Sequence, residues 1–370
     1  MKTICKMDRC TGCRACEQVC PKKCISFAED VEGFIYPSVN QEICVECGLC
    51  QNICHALEKD KTNLLCEEKN RQGWYGWSLN KELHKESSSG GAFSEIVDVF
   101  LQGEGTVFGA AFSEDYLSVQ QTACSADNFQ PLRKSKYVFS DPQNSYSSVK
   151  EQLTKGNRVV YCGTPCQVAG LRSYLQNVNQ AKLLTIDFIC HGVPSPMVYR
   201  NHIKWLTKGT VKKVDFRSKR MGAKHCLLVE DCRGEKIYSK SEDMYFEAFL
   251  TDSILRKCCY QCQYSEGNHV SDFTLADFWE VTRYEKKVDC AKGVSLVVMN
   301  TQKAGDLLAQ LQMKMQLTRL NEEAFRYVYV SHRDYNFARR KRFFEEYRRY
   351  GRNFHEWKKQ YQNTKKKFFK

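Results

Sequence analysis

The sequence lacks the two apolar features that would place a chain in or across a membrane. No window approaches the roughly 20 apolar residues that a helix needs to span a bilayer. No apolar stretch precedes the first cysteine, Cys5, so we expect no secretory leader and a cytoplasmic protein. Hydrophobic residues make up 42% of the chain and charged residues 27%, which indicates a globular fold with its own core. At roughly 150 residues per domain, we expect two or three domains.

Cysteine, in contrast, is abundant, with 21 among 370 residues. Short secreted proteins reach such a content with disulfides, but those proteins carry leaders. In a long chain without one, we expect reduced thiols that are available to metal. Ten of the cysteines lie between Cys5 and Cys54, and we therefore assign residues 1–60 to a separate metal-binding domain.

These cysteines form two runs with the same spacing. The runs consist of Cys10, Cys13, Cys16 and Cys20, followed by Pro21, and of Cys44, Cys47, Cys50 and Cys54, followed by His55. The spacing C-x2-C-x2-C-x3-C is the bacterial ferredoxin pattern for two [4Fe–4S] clusters, in which the fourth cysteine of each run binds the other cluster. The predicted ligand sets are thus Cys10, Cys13, Cys16 with Cys54, and Cys44, Cys47, Cys50 with Cys20.

Zinc is the alternative metal for these cysteines, but zinc sites are typically built from paired C-x2-C units, and two complete four-cysteine runs fit that pattern poorly. Gly12 and Gly48 leave room for backbone N–H groups to approach the cluster sulfurs and tune the reduction potential. Cys5 and Cys24 lie outside the pattern, and we interpret them as bystanders.

The rest of the chain alternates between predicted strands and predicted helices from residue 87 to about residue 300. Strand patterns cover 106–112, 158–162, 183–188, 273–276 and 294–300, and helix patterns cover 92–101, 145–153, 168–175, 197–206 and 304–313. This alternation predicts an α/β domain around a mixed sheet, over residues 86–330. Residues 211–238 predict a β-ribbon, and the polar segment 61–85 is interpreted as a connector.

Several segments of this second domain together resemble one known family. They are Glu-Ser-Ser-Ser-Gly-Gly-Ala-Phe at 86–93, Ser-Lys-Tyr-Val at 135–138, Tyr-Cys-Gly-Thr-Pro-Cys-Gln-Val-Ala-Gly-Leu at 161–171, Ile-Cys-His-Gly-Val-Pro at 189–194, and a C-x2-C pair followed by Asp-Phe-Thr-Leu-Ala-Asp-Phe-Trp at 272–279. Over nearly all of residues 70–300 the chain is similar to the coenzyme F420 hydrogenase/dehydrogenase beta-subunit family. An N-terminal ferredoxin domain is common in that family.

The resemblance implies a flavin-binding α/β domain that holds FAD and a third [4Fe–4S] cluster. The ligands of that cluster fall on Cys166, Cys190, Cys259 and Cys262. The flavin segments fall on Ser88, Ser89, Gly90, Gly91, Ala92, Lys136, Tyr137, Gly163, Thr164 and Pro165. The choice of ligands stays open, because Cys162 or Cys258 could replace the neighbouring ligand.

The residues themselves leave other interpretations open. A Ser-Gly loop that opens a helix cradles phosphate, but serine before a helix also serves as an ordinary N-cap. Cys166 and Cys190 are cluster ligands, buried structural thiols or a catalytic thiol. His191 follows one of these cysteines; it is a candidate general acid, a hydrogen-bond donor to cluster sulfur, or a turn residue. Asp272 and Asp277 flank a short apolar strand that they cap or orient.

The tail, residues 331–370, is basic and aromatic, with 14 Lys or Arg against 4 Asp or Glu. Its aromatic residues recur at helical spacing, at Phe343, Tyr347, Tyr350, Phe354, Trp357 and Tyr361. We interpret it as a C-terminal helix that packs on the body through this stripe. A helix lying at the inner face of the membrane is the second interpretation, and nucleic-acid binding is the least favoured.

These features predict an iron–sulfur flavoprotein oxidoreductase. Electrons from a ferredoxin-type or flavodoxin-type donor would reach FAD through the clusters and reduce a small organic substrate. The association of ferredoxin-bearing family members with surface-polysaccharide genes suggests a sugar intermediate. The alternative is a coenzyme F420 (deazaflavin)-dependent hydrogenase or dehydrogenase beta-type subunit, or a non-catalytic electron-transfer subunit.

Overall fold

The computed structural model of the chain describes residues 3–57, 71–223, 225–265, 267–321, 325 and 337–350. The strands, numbered in chain order, are β1 (Ile25–Glu29), β2 (Ile35–Val39), β3 (Gln72–Ser78), β4 (Thr106–Phe112), β5 (Val119–Ser125), β6 (Ser140–Asp141), β7 (Val159–Cys162), β8 (Leu183–Phe188), β9 (Lys213–Asp215), β10 (Arg220–Ala223), β11 (Cys226–Asp231), β12 (Gly234–Ser239), β13 (Phe273–Asp277), β14 (Ser295–Met299) and β15 (Met315–Arg319). The helices are α1 (Ala15–Val19), α2 (Leu49–Asn52), α3 (Lys81–Glu86), α4 (Ala92–Leu101), α5 (Ser145–Thr154), α6 (Pro165–Tyr174), α7 (Pro196–Leu206), α8 (Met244–Leu250), α9 (Val281–Tyr284), α10 (Gln302–Gly305), α11 (Leu308–Lys314) and α12 (Phe337–Arg349). Within these ranges, none of the helices combines the length and the apolar content that a membrane crossing requires.

The N-terminal domain is small and ferredoxin-like. Its strands β1 and β2 pair antiparallel, with Ile25 opposite Val39. The short helices α1 and α2 each follow a residue in the left-handed backbone region, Arg14 at φ 58° and Gly48 at φ 74°. Each helix starts inside one of the two cysteine runs, so the two runs have similar local geometry.

A nine-stranded mixed sheet forms the body, in the order β15-β3-β14-β13-β8-β7-β4-β5-β6. Its central strands β13, β8, β7 and β4 are parallel, while β14 and β5 flank them antiparallel. The carboxyl ends of the four parallel strands therefore lie at one edge, which is where α/β sheets commonly bind ligands.

Helices cover both faces of this sheet. On one face, α4, α10 and α11 pack on side chains such as Val107, Val160 and Ile186. On the other face, α5 and α6 pack on the alternate positions of the same strands, such as Val159 and Tyr161. Because side chains alternate along a strand, each strand contributes to both cores. The ferredoxin-like domain joins the second core through Ala15 of α1 and Ile53, which follows α2.

A third layer lies beside the main sheet. It consists of the three-stranded sheet β12-β11-β9, helices α7 and α8, and the C-terminal helix α12, which share one apolar core. In α12, Phe343, Phe344 and Tyr347 are buried in this core, and Asn201 donates a hydrogen bond to the Tyr347 hydroxyl at 2.9 Å. The aromatic stripe packs on the body over this part of the tail, and its continuation at Phe354, Trp357 and Tyr361 lies outside the described residues.

The mixed α/β fold class with a ferredoxin-like N-terminal domain and a C-terminal helix is confirmed, and two details differ from the sequence prediction. The helix pattern at 304–313 is two short helices, α10 and α11. The segment interpreted as a connector contains β3, a strand inside the main sheet. The glycines in β3 interrupt the strand pattern, so the sequence did not predict this strand. The structure requires glycine at position 76, because a Cβ there would lie 1.8 Å from the Gln316 carbonyl oxygen of the neighbouring strand β15.

Candidate redox site

The second cysteine run encloses a small cavity together with one cysteine of the first run. We call Cys20, Cys44, Cys47 and Cys50 the outer cysteine set. All four line this cavity of about 20 Å³, and they are the four ligands that the ferredoxin pattern predicts for one cluster. Cys47 is exposed, so the outer cysteine set reaches the protein surface. The bystander Cys24 lies beside it, with its sulfur 3.4 Å from that of Cys20.

The other predicted ligands, Cys10, Cys13, Cys16 and Cys54, form the inner cysteine set. Burial raises the pKa of Cys13 to about 12, and the charges of Cys54 and Cys10 add to this shift. The pKa of Cys16 is raised by burial and by the other three thiols. The four thiols therefore lie close enough for their charges to interact. The second bystander, Cys5, also contacts this set through hydrogen bonds with Cys10 and Cys54.

Four thiols in each set are the number and kind of donor that a [4Fe–4S] cluster requires. Within the described ranges, no group of three or more His, Cys, Asp or Glu side chains is arranged for a single metal ion. Backbone N–H groups also point at the sulfurs, for example that of Gly12 at Cys10. Such hydrogen bonds stabilise the negative charge on cluster sulfur.

A third group of thiols gathers at the carboxyl ends of β7 and β8. Cys166 lies in the first turn of α6, Cys190 follows β8, and Cys262 ends the turn after Arg256. Burial raises the pKa of Cys166, and the charges of Cys258 and Cys262 add to this shift. Cys190 interacts in turn with Cys166 and Cys262. We call Cys166, Cys190 and Cys262, with Cys258 or Cys259, the body cysteine set.

The fourth member of the body cysteine set has two candidates. Cys259, to which the family resemblance assigns the role, accepts a hydrogen bond from the Val193 N–H at 3.4 Å. The Cys258 thiol interacts with both Cys166 and Cys262. Cys162, the other open position, interacts instead with Asp187 and Lys136.

The inner and body cysteine sets are neighbours across helix α6. A Cβ on Gly170 would lie 3.1 Å from both the Cβ and the sulfur of Cys13. Gly170 stands one helical turn after Cys166, and the charge of Cys13 adds to the rise in the pKa of Cys166. The absence of a side chain at position 170 therefore lets the ferredoxin-like domain dock with its inner set against the body set.

A cavity of about 940 Å³ opens at the carboxyl edge of the parallel strands. This volume lies within the range of pockets that hold small molecules and cofactors, roughly 300–1,000 Å³. The predicted flavin-binding residues in its wall are Ser88, Ser89, Gly91, Ala92, Lys136, Tyr137, Gly163 and Thr164. Cys166 and Cys190 line the same cavity, so the body cysteine set borders on it.

Two predicted flavin-binding residues, Gly90 and Pro165, are not part of the cavity wall. The Gly90 N–H donates to Ser295 Oγ at 2.9 Å, and a Cβ there would lie 2.3 Å from the Gly76 carbonyl oxygen. Gly90 therefore serves the packing of the loop against β3 and β14. Pro165 is buried as the first residue of α6, a position that proline favours because it lacks an N–H.

The Ser-Gly loop and three cations form one end of the cavity. The loop leads into α4 through Gly91 at φ +91°, and Ala92, Phe93 and Ser94 in the first turn of this ten-residue helix line the cavity. Arg133, Lys134 and Lys136 lie in the same wall. The Ser89 hydroxyl, however, donates to the Val294 carbonyl at 2.8 Å.

Lys136 indicates that this cavity suits an anionic group. Burial lowers the pKa of Lys136 to about 7, against the attraction of Cys162 and Asp215. Its Nζ donates to the carbonyl oxygens of Arg133 at 2.7 Å and Lys134 at 3.3 Å. Among the described residues no carboxylate forms an ion pair with it, so a phosphate is the kind of partner that this ammonium lacks. The residues present therefore fit the pyrophosphate of FAD.

A buried ion pair that the sequence did not reveal stands behind this wall. Arg217 is buried, and its guanidinium donates to both carboxylate oxygens of Asp277, at 2.5 and 3.0 Å. It also donates to the Tyr137 hydroxyl at 3.1 Å and to the Ser88 carbonyl at 3.2 Å, and it lies 4.8 Å from the Trp279 ring centroid. Asp277, which the sequence offered as an orienting residue, therefore pairs with Arg217 and holds its guanidinium in place.

His191 lies in the cavity wall, but its Nε2 is directed into the protein. This nitrogen lies 3.0 Å from the Phe249 carbonyl oxygen and 3.0 Å from Asp252 Oδ1. Its ring packs on that of Phe249 at 4.5 Å. These contacts favour the interpretation of His191 as a turn residue over that of a general acid.

Comparisons with known proteins agree with this division of the chain. Residues 156–323 match the family described as the C terminus of the beta subunit of coenzyme F420 hydrogenase/dehydrogenase, and residues 9–56 match the 4Fe-4S dicluster domain. The pyruvate synthase subunit PorD of Thermotoga maritima is 35% identical over 71 residues, which are 18% of this chain and 68% of that protein. A chain of the F420-reducing [NiFe] hydrogenase complex from Methanosarcina barkeri aligns over 75% of this chain and 91% of its own length, with 15% identity and a TM-score of 0.49.

Proposed function

We propose that the chain is the electron-transferring beta-type subunit of a larger oxidoreductase, because residues 156–323 match the beta-subunit family of coenzyme F420 hydrogenase/dehydrogenase and residues 9–56 match the 4Fe-4S dicluster domain. It is an iron–sulfur protein of electron-transfer type. In our proposal the body cysteine set binds a third [4Fe–4S] cluster and the large cavity binds FAD. When bound, each cluster carries one electron at a time and FAD exchanges electrons singly or in pairs.

The observation that carries the proposal is the position of the body cysteine set. On one side the inner cysteine set packs against helix α6, where a Cβ on Gly170, one turn after Cys166, would lie 3.1 Å from the Cys13 sulfur. On the other side Cys166 and Cys190 line the cavity whose wall holds most of the predicted flavin-binding residues. The three cysteine sets and the cavity therefore form a continuous series from the exposed Cys47 to the interior.

The chain's own residues have separate tasks in this series. The N-terminus of α4 and Lys136 would hold the pyrophosphate of FAD, while Arg217 keeps Tyr137 and Ser88 in place. The thiolates would hold the clusters, and the surrounding apolar core excludes water from them. Exclusion of water limits side reactions of the reduced groups.

The surface around the outer cysteine set suits a protein partner. Ile43, Val45 and Leu49 are exposed beside Cys47, and an electron carrier of ferredoxin or flavodoxin type would cover these apolar side chains. The name of the relative in Thermotoga maritima is that of a pyruvate synthase subunit. A partner protein that docks here, either another subunit or a carrier, is therefore favoured over a protein that acts alone.

The family and domain matches support this interpretation better than a stand-alone FAD-dependent reductase of a surface-polysaccharide intermediate. That second hypothesis rests on the association of family members with polysaccharide genes. A deazaflavin or a small organic molecule at the cavity mouth is compatible with both.

Anaerobic quantitation of iron, sulfide and flavin tests the proposal. We expect about twelve irons per chain from three four-iron clusters, together with one FAD. Cys166→Ser should lose about a third of the iron and keep the spectrum of the ferredoxin-like domain. About eight irons in the unaltered protein would contradict the third cluster, and an absence of flavin would contradict the FAD site.

Reduction of the loaded protein by dithionite and a viologen then separates the two hypotheses. A subunit should accept electrons and hold them until a partner protein is added. Steady turnover of a deazaflavin or a sugar nucleotide by the isolated chain would favour the stand-alone enzyme.

A further inference from the structure

Three arginines are among the largest fully buried side chains of the described structure: Arg217, Arg256 and Arg340. Arg217 is paired with Asp277 and Arg340 with Glu32. Arg256, only 1% exposed, forms no ion pair with a described carboxylate. A buried cation without a compensating charge is costly, so the surroundings of Arg256 require an explanation.

The guanidinium of Arg256 reaches from the body into the ferredoxin-like domain. Its Nε donates to the Cys10 carbonyl oxygen at 2.7 Å, and its Nη2 donates to the Ile35 carbonyl oxygen at 2.7 Å. Nη2 also lies 3.8 Å from the Cys10 sulfur, and the guanidinium stacks 4.4 Å from the Tyr36 ring centroid.

Gly12 makes room for this side chain. A Cβ at position 12 would lie 3.0 Å from Nη1 of Arg256, and the residue has φ +73°. Gly12 therefore serves two purposes: its N–H points at the Cys10 sulfur, and its missing side chain admits the guanidinium. The loop of the inner cysteine set is thus shaped around Arg256.

Arg256 lies next to cysteines of two different sets. Its Nη2 is 3.8 Å from the sulfur of Cys10, of the inner cysteine set, and it immediately precedes the turn that contains Cys258 and Cys259, the candidates of the body cysteine set. The backbone of Arg256 is fixed in this place, since its N–H donates to the Val193 carbonyl at 2.8 Å and its carbonyl accepts from the Cys259 N–H at 3.0 Å.

We propose that Arg256 is a positioning residue that stabilises added negative charge on both the inner and the body cluster, and so raises both of their reduction potentials together. The inference rests on the proposed function, because it needs clusters in both sets. A fixed positive charge within a few ångströms of cluster sulfur favours the reduced form, which carries one more electron. Low polarity around the guanidinium strengthens the effect.

The test is a redox titration monitored by electron paramagnetic resonance on the whole, anaerobically loaded protein. In Arg256→Gln, one-electron reduction of the inner and body clusters should become about tenfold less favourable, a fall of about 59 mV in each midpoint potential. The outer cluster should be unchanged, and Cys47→Ser, which alters a ligand of that cluster alone, identifies its signal. Arg256→Lys, which keeps the charge, should restore most of the shift.

The double variant Glu32→Gln/Arg340→Gln is the matched control, because it removes a buried arginine together with its carboxylate partner and leaves the net charge unchanged. It should leave all three potentials unchanged. If Arg256→Gln retains the iron of the unaltered protein and all its potentials, the role of Arg256 is wrong while the proposed function stands. If the unaltered protein holds about eight irons, the proposed function itself fails.

Should Arg256→Gln lose iron, Arg256→Lys decides the matter. Full iron with potentials close to those of the unaltered protein supports the need for a charge at this position. Loss of a cluster in the lysine variant as well would overturn the proposal, because the fork-shaped hydrogen bonding of arginine, and not its charge, would then be essential.

Discussion

Replacing Arg217 with methionine should weaken the binding of FAD about 30-fold. The guanidinium donates to the Tyr137 hydroxyl and the Ser88 carbonyl, at 3.1 and 3.2 Å, and both residues line the cavity. Each such bond contributes about 0.5–1.5 kcal/mol. The loss of both costs about 2 kcal/mol, and 1.4 kcal/mol corresponds to a factor of about ten in a dissociation constant.

Titration of the flavin-free protein with FAD, followed by quenching of flavin fluorescence, measures this change. Arg217→Met also leaves the Asp277 carboxylate unpaired, so thermal stability should fall as well. The double variant Arg217→Met/Asp277→Asn removes that charge; it should recover stability but not FAD affinity. Arg233→Met breaks an ion pair with Asp231 on the β11–β12 turn, away from the cavity wall, and should leave FAD affinity unchanged. A dissociation constant for Arg217→Met within about twofold of the unaltered protein would refute the positioning argument.

Three further predictions concern the clusters, the tail and the pH dependence. Either Cys258→Ser or Cys259→Ser should lose about a third of the iron, and the other variant should keep it. Iron analysis of both variants identifies the ligand, and equal loss in both would mean that neither thiol alone is the ligand. Glu32→Gln should destabilise the fold by about 3–5 kcal/mol, because it leaves buried Arg340 without its carboxylate, and should release α12 to limited proteolysis; unchanged cleavage would contradict this. Burial lowers the pKa of Lys136 to about 7, and an anionic ligand favours its protonated form, so FAD affinity should fall by up to about tenfold per pH unit above pH 7. Titration of Lys136→Met should show a flat profile; a flat profile in the unaltered protein would exclude Lys136 as a phosphate ligand.

Local patterns made the ferredoxin-like domain and most of the body predictable. Three ligands of each ferredoxin cluster lie within a few residues of one another and the fourth holds a fixed place in the other run, so the spacing carries the geometry. The strands at 106–112 and 183–188 and the helix at 92–101 have the predicted bounds, because their apolar patterns match their burial on the sheet. Where glycines interrupt the pattern, as in β3, the signal is lost.

Contacts between distant segments were not predictable in this way. Arg217, between β9 and β10, is 60 residues from Asp277 at the end of β13, and Arg256 meets Cys10 across 246 residues. An arginine in the sequence gives no indication of burial, since most arginines are exposed. The sequence likewise could not show that the Gly90 N–H is used within the protein, because its partner Ser295 lies on β14.

The second cysteine run departs from the first at His55, which stands where the first run has Pro21. His55 is 3% exposed, its Nδ1 lies 2.7 Å from the Tyr264 hydroxyl oxygen, and its carbonyl accepts from Gln263 Nε2 at 3.0 Å. Both partners follow directly after Cys262 of the body cysteine set. Proline has no polar side-chain atom for the contact with Tyr264, whereas Pro21 lines the outer cavity. The two runs thus offer the same ligands in different surroundings, and this difference sets the order of the cysteine sets in the proposed electron transfer. His55 hydrogen-bonds the loop of the inner cysteine set to the body, whereas the outer cysteine set remains at the surface for a partner.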